Sequence, residues 1–267
     1  MRIVVCIKHV PDIQSERSLG VDGRIVRDGG DGTLNELDEN AVEAAVTLLE
    51  AHTGAGGTGE VIVLTVGPEL AEDALRLALQ RGADSGVHVL DDAIAGSDVF
   101  GTVAVLAAAI RRLGAQAPID LVVTGMAALD GMTSMLPAAL ATELDLAQLT
   151  LAAEVTIDDG VVRVRRELDT ATEVLTAPLP ALVSVTDQAN SPRYPNFKAI
   201  MAARKKSIAT LSLADLGIDA GSVGSAGART EVLEARARPA REHRVLLVDD
   251  GTAGTQLATY LVANKLA

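Results

Sequence analysis

Three short segments hold the residues best placed for chemistry, and each follows an apolar, β-branched run. They are 6–12 after RIVVCI, 66–68 (Val-Gly-Pro) after EVIVLT, and 125–133 (GMAALDGMT) after LVVT. In open parallel sheets, ligands bind beyond the carboxyl ends of the strands, often against a helix N-terminus. The glycines of the third segment let backbone N–H groups approach a ligand, and Asp130 and Thr133 fall near the start of the next expected helix. A nucleotide or phosphate cradle would use these groups. An ordinary strand-to-helix loop with a glycine turn and an N-cap would use them equally well. No Walker pattern occurs, and the one GxGxxG, Gly54–Gly59, precedes a strand and does not follow one, so a standard dinucleotide or NTP site has no support. The four histidines (His9, His52, His88, His243) show no metal-ligand spacing, and no serine nucleophile elbow is present. A single cysteine, Cys6, excludes an intrachain disulfide or a cysteine-built zinc site. The acid pairs Asp158-Asp159 and Asp249-Asp250 sit in expected turns, and Arg204-Lys205-Lys206 reads as a solvated face or the basic end of a helix.

The elements that must position these segments alternate along the chain. Strands are expected at 2–7, 60–66, 87–90, 121–124 and 181–185, with helices at 35–52, 71–80, 99–113 and 133–144 between them. Asn35 stands where a helix N-cap belongs, with Asp38 three residues later. Asp22-Gly23 gives a hairpin-type turn in the loop after the first strand. Apolar strands alternating with helices mean βαβ units, hence an α/β fold with a parallel, doubly wound sheet. From 150 to 176 the period shortens to two, with Asp158-Asp159-Gly160 as a hairpin turn, so antiparallel strands are expected at the edge of that sheet. The core is expected over 1–218. The Gly/Ser/Ala-rich stretch 219–230 reads as a linker, and an extended stretch ending at 244–248 and a helix over 254–266 follow as a C-terminal docking tail.

Composition narrows the function classes. Lys+Arg 23 against Asp+Glu 36 leaves a net charge of −13, which repels phosphate backbones, so no nucleic-acid partner is expected. Only Phe100, Tyr194, Phe197 and Tyr260 are aromatic, too few to build base-stacking platforms. No run approaches about 18 uninterrupted apolar residues, so membrane insertion is not expected. The N-terminus reads as a strand and not as a secretory signal, and a cytoplasmic location is the expectation.

Four ordered segments go further: MRIVVCIKHVPD at the start, NELDENAVEAAV at 35–46, VRRELDTATEVLTAPLPALVSVT at 164–186, and NSPRYPNFKAIMAARKK at 190–206. Together they resemble the β subunit of bacterial electron-transfer flavoprotein, in register to about residue 218. The resemblance implies a carrier subunit without a bond-making active site of its own. Such a subunit pairs with an α subunit that holds most of the FAD. The pair relays electrons from flavin dehydrogenases, such as acyl-CoA dehydrogenases of fatty acid oxidation, to a membrane quinone reductase. It also implies a structural AMP in this subunit, or a second FAD in the electron-bifurcating class. A stand-alone adenine-nucleotide enzyme or sensor is the alternative from another class. Carried over by position, the nucleotide cradle falls on Cys6, on Asn35, Glu36, Leu37 and Asp38, on Val66, and on Gly125, Met126, Ala127, Ala128, Leu129, Asp130, Gly131 and Thr133. Ile13 aligns near the flavin ring. Many members carry Lys-Gln where this chain has Met126-Ala127, and a further acid and a Gln where it has Met132 and Met135, which leaves fewer polar groups for a ligand. Glu167 matches the acid that helps hold the mobile flavin domain of α. Gln188, Ala189, Asn190, Pro192, Arg193 and Tyr194 match the loop that grips dehydrogenases, with Ala189 where members often have an anchoring Leu and Tyr194 as the substitute anchor.

Overall fold

The computed structural model describes residues 1–27, 30–240 and 245–267. Five elements open the chain. They are β1 (Arg2–Cys6), β2 (His9–Pro11), β3 (Gly32–Leu34), α1 (Glu36–Gly54) and β4 (Glu60–Val66). Next come α2 (Glu72–Gln80), β5 (Ser85–Val89), α3 (Val99–Gln116), β6 (Leu121–Gly125), α4 (Leu136–Leu144) and β7 (Ala147–Ala152). The chain continues through β8 (Glu154–Asp158), β9 (Val161–Glu167), β10 (Thr172–Pro178), β11 (Ala181–Val185), α5 (Phe197–Ala203), β12 (Ile208–Leu211), α6 (Leu213–Leu216) and α7 (Gly224–Gly227). A last helix, α8, spans Ala253–Ala263.

Seven strands form one sheet in the order β12-β5-β4-β1-β6-β11-β7, and every neighbouring pair is parallel. Val4, Val5, Leu64, Leu121 and Leu182 are completely buried because helices cover both faces. Helices α1 and α2 pack on one face through Val42, Ala45, Leu75 and Leu79, and α3 and α4 on the other through Val105, Ile110 and Leu140. Helix α3 is long and apolar enough by length and composition to cross a membrane. Its apolar residues Val103, Val105, Leu106 and Ile110 are buried on the sheet, as the core helix of a doubly covered fold requires. The chain leaves β1 towards β4 on one side and returns to β6 on the other, which opens a crevice at the C-terminal ends of β1 and β6.

The antiparallel strands expected after residue 150 are present as a sheet of their own, β10-β9-β8. Their alternation explains this placement. Val162, Val164 and Ala177 join the core on the α1 and α2 face, while the intervening residues stay wet, so these strands have one apolar face each. Asp159 and Gly160 both take positive φ in the hairpin turn. The parallel edge strands β7 and β12 and the short β2–β3 pair were not foreseen in the sequence.

Two boundaries need correction. Helix α4 starts at Leu136, with Pro137 in its first turn, and not at Thr133; the preceding Met132 and Ser134 adopt left-handed backbone. The stretch 219–230 is packed and is not a linker. Val223 is fully buried, Gly224 N–H donates to Ser97 Oγ at 2.8 Å, and the Asp98 carboxylate accepts from Arg229 N–H at 2.7 Å. The first compact unit accordingly runs from Met1 to Leu233, and residues 234–267 form a second. Expected features at 241–244, including His243 and Arg244 of the extended stretch, lie outside the described residues.

Gly224 sits at φ +65 with its would-be Cβ 2.1 Å from the Ala93 carbonyl oxygen. Gly224→Ala should loosen 219–230 by more than about 1 kcal/mol. Hydrogen exchange should then accelerate at 220–230 while the strands of the large sheet stay protected.

Candidate nucleotide site at the switch point

The crevice is built by the first turn of α1. Asn35 N–H donates to the Lys8 carbonyl at 2.9 Å, which fixes where the helix begins. The Asn35 side chain is completely buried but does not cap α1, as the sequence position had led us to expect. Instead its Nδ2 donates to the Ala127 carbonyl at 2.9 Å and its Oδ1 accepts from Leu129 N–H at 3.0 Å. One amide thus clasps the loop after β6, and a side chain without both a donor and an acceptor could not.

Asp38 makes the second tie. Its Oδ2 accepts from Lys8 N–H at 2.8 Å, and its carboxylate is also met by Gly125 N–H and the Asn35 side chain. Burial nevertheless dominates and pushes the Asp38 carboxyl up to about 7. Gly125 has to be glycine. A Cβ there would lie 2.5 Å from Asp38 Oδ1 and 2.8 Å from the Leu37 carbonyl oxygen. Cys6, beside this carboxylate at the end of β1, is buried, and desolvation followed by Asp38 pushes its thiol up to about 12. It packs as a small apolar residue and carries no nucleophile at neutral pH.

Most of the positions named from the sequence gather here. Cys6, Asn35, Asp38, Gly125, Ala127 and Asp130 are buried at the crevice, Leu37, Val66, Met126, Ala128 and Leu129 are half-buried, and Glu36, Gly131 and Thr133 are exposed. Ile13 is half-exposed in the loop after β2. Thr124 was not singled out. It is 3% exposed at the C-terminal end of β6, and among the described residues its hydroxyl meets no partner. Sequence reasoning also passed over Lys8 and Arg27, although Lys8 lies inside the first nominated segment. Lys8 Nζ and Arg27 Nε both contact the fully buried Asp130 carboxylate, at 2.9 and 2.6 Å. Burial alone would raise this acid, but the two cations hold Asp130 below the usual carboxylate range.

The loop 187–195 is stapled to the same helix. Asn40 Nδ2 donates to the Asn190 carbonyl at 3.0 Å, and Asn190 Nδ2 returns a bond to the Asn40 carbonyl at 3.0 Å. Arg193 Nε donates to Glu43 at 2.8 Å and its Nη1 to Glu50 at 2.7 Å, so one guanidinium spans two turns of α1. These hydrogen bonds raise Arg193, and Arg193 holds both Glu43 and Glu50 below their ordinary range, at Glu43 against the opposing effect of burial. Gln188 is exposed, Pro192 is half-exposed, and Ala189 packs against the core. Tyr194 stands 95% exposed. Glu167 lies on β9, where Thr172 Oγ1 donates to it at 2.6 Å and Arg165 pairs with it. Among the described residues no group of three His, Cys, Asp or Glu side chains could hold a metal ion.

The raised Asp38 carboxyl has a consequence for stability. Its folded pKa lies above the unfolded value of about 3.9, so the native state holds the extra proton between the two and stability falls as pH rises through that window. Asp38→Asn removes this contribution. The stability of the natural chain relative to Asp38→Asn should fall between about pH 4 and about pH 7 in thermal unfolding. A pH-independent difference would mean that Asp38 does not titrate there.

A model of the electron transfer flavoprotein domain matches residues 22–216. The electron transfer flavoprotein subunit beta of Mycobacterium tuberculosis is 43% identical over 266 residues, covering 99% of this chain and 98% of the relative. The subunit beta of Megasphaera elsdenii is 32% identical over the whole of both chains. A subunit of the caffeyl-CoA reductase-Etf complex of Acetobacterium woodii is 32% identical, covering 98% of this chain and 97% of that one. A seven-stranded parallel sheet, a clasped crevice at its switch point and similarity along the full length agree, and the chain belongs to the electron transfer flavoprotein family, among its β subunits.

Proposed function

We propose that this chain is the β half of a heterodimer that relays electrons from flavin dehydrogenases, acyl-CoA dehydrogenases among them, to a membrane quinone reductase. FAD supplies the one- and two-electron chemistry and is held mainly by the α subunit; AMP fills the crevice of this chain. The observation that carries the reading is the clasped switch point, where Asn35 and Asp38 tie the loops after β1 and β6 and the half-exposed Lys8 and Arg27 contact Asp130. These groups fit an adenine nucleotide with one phosphate. The chain's own part is to hold that nucleotide, to present apolar surface to α, and to offer the loop 187–195 to donors.

The second compact unit supports the α partner. Helix α8 has no buried residue, and Leu246, Val248, Val262 and Leu266 are well exposed. Apolar surface of this kind fits a large heterodimer interface. Expressed without α, the chain should be colourless; co-expressed, the complex should be yellow. A monodisperse monomer carrying stoichiometric FAD would overturn the proposal.

Similarity to a subunit of a caffeyl-CoA reductase-Etf complex favours a second reading, in which the crevice takes a FAD of its own. Ala127 and the exposed Met132 and Met135 speak for AMP, because they offer no polar partners to an isoalloxazine edge, and each unpartnered buried polar atom costs about 1–3 kcal/mol. Heat release and chromatography should yield one FAD and one AMP per heterodimer. Two FAD and no AMP would select the second reading.

Tyr194 is the proposed anchor for the donor. Its ring is free of the core while Arg193 beside it is bolted to α1, so a rigid loop presents an exposed aromatic at small entropic cost. Tyr194→Ala should lower electron acceptance from the cognate dehydrogenase by about tenfold or more, with flavin content and thermal stability unchanged. Unfolding, or full acceptance, would remove Tyr194 from the interface.

A further inference from the structure

We infer that Asp98 anchors the root of the C-terminal segment that binds the α subunit, and that Val232 and Leu233, just past the anchor, are the first residues of that interface. The inference rests on the proposed pairing with α and assigns the residues that position it. Asp98 stands before α3 and holds two things at once. Its Oδ1 accepts from Phe100 N–H at 3.0 Å and from Gly101 N–H at 3.1 Å, which caps the helix. Its Oδ2 accepts from Arg229 N–H at 2.7 Å and from the Thr230 hydroxyl at 3.2 Å, 131 and 132 residues further along the chain. The Arg229 guanidinium lies over the Phe100 ring, 4.9 Å from its centre, so a cation–π contact closes the same junction.

The first compact unit does not need this junction to complete its core. The residues before it are already packed: Val223 is fully buried, Gly224 N–H donates to Ser97 Oγ, and Ser225 N–H donates to the Ala95 carbonyl at 3.1 Å. Arg229 and Thr230 are exposed, yet both are held to Asp98. Directly beyond them the chain is apolar and wet, with Val232 45% and Leu233 88% exposed. Residues 234–267 carry the same character, because α8 has no buried residue and Leu246, Val248 and Val262 are exposed. Apolar side chains left in water in one continuous stretch mark a partner surface, and for a β subunit of this family the partner is α. A binding segment with a fixed root samples fewer positions before docking. It therefore loses less freedom on binding and meets its partner at a higher effective concentration. Asp98 is a positioning residue: it acts through Arg229 and Thr230 on where the interface begins.

Dissociation of the full heterodimer on dilution, followed by sedimentation, tests the anchor, with amide hydrogen exchange on the same samples. Asp98→Asn separates the two tasks. Asn keeps an oxygen for Phe100 and Gly101 and caps a helix as well as Asp does, but its NH2 group faces the Arg229 and Thr230 donors. Exchange should accelerate at 228–233 and stay slow in α3, and the heterodimer should separate at about tenfold higher concentration. Arg229→Ala leaves the cap untouched and should weaken the complex roughly threefold, and Arg229→Lys, which keeps a cation for the ring, should restore most of that loss. Leu233→Ser should weaken it about tenfold with exchange at 228–230 unchanged. Natural affinity in Asp98→Asn, with 228–233 released, overturns the anchor, and so does unchanged exchange there. If Asp98→Asn frays α3, natural affinity in both Arg229→Ala and Leu233→Ser overturns the inference instead. A natural chain that forms no complex with α would remove the partner reading on which the anchor rests.

Discussion

Two buried polar side chains at the N-terminus of α1, Asn35 just before it and Asp38 in its first turn, tie the ends of β1 and β6 together. Asn35 and Asp38 satisfy backbone groups of Lys8, Gly125, Ala127 and Leu129, which belong to the loops on either side of the switch point. Those loops leave the C-terminal ends of adjacent parallel strands. Each backbone group left unpaired there would cost about 1–3 kcal/mol. The spacing of the two side chains, with Asn35 before the helix and Asp38 one turn in, sets where the loops can lie. The need for glycine at 125 follows from it.

The same helix frames a second surface. Asn40, Glu43 and Glu50 recur at helical spacing along α1 and pin the loop 187–195 through Asn190 and Arg193. A loop that would otherwise sample many conformations is thereby held by both reciprocal amide bonds and a forked ion pair. The ion pair is partly exposed, so its net contribution to stability is modest. Its geometric effect is larger, because a guanidinium gripping two carboxylates cannot rotate away. The clasped strand ends and the loop 187–195 thus share one rigid element, placed by packing of Val42, Ala45 and Val46 on the sheet.

Much of this was legible in the sequence because the strands are short, apolar and β-branched, and because the helices carry a wide apolar stripe. RIVVC and LVVT announced β1 and β6, and the loops after them announced the crevice. Elements whose signal is tertiary stayed hidden. The run AQLTLA of β7 has mixed polarity, and its place beside β11 depends on partners far along the chain. The segment 219–230 has the composition of a linker, yet Val223 and Gly224 fit against the turn before α3, a complementarity that no local pattern reports. At the site, the sequence nominated Asn35 and Asp130 but not what they do. Asn35 looks like a cap until the Ala127 loop is placed beside it, and Asp130 looks like a ligand contact until Lys8 and Arg27 close over it. Side-chain identity is local, whereas a hydrogen-bond partner more than ninety residues away is not.

The central claim is that the clasped ends of β1 and β6 form the nucleotide site of this subunit. Amide hydrogen exchange of the full heterodimer, with and without AMP, tests it most directly. Protection on binding should concentrate at 6–8, 33–38 and 124–131, the three segments tied by Asn35 and Asp38. Protection that appears instead around 187–194, or nowhere in this chain, would contradict the account.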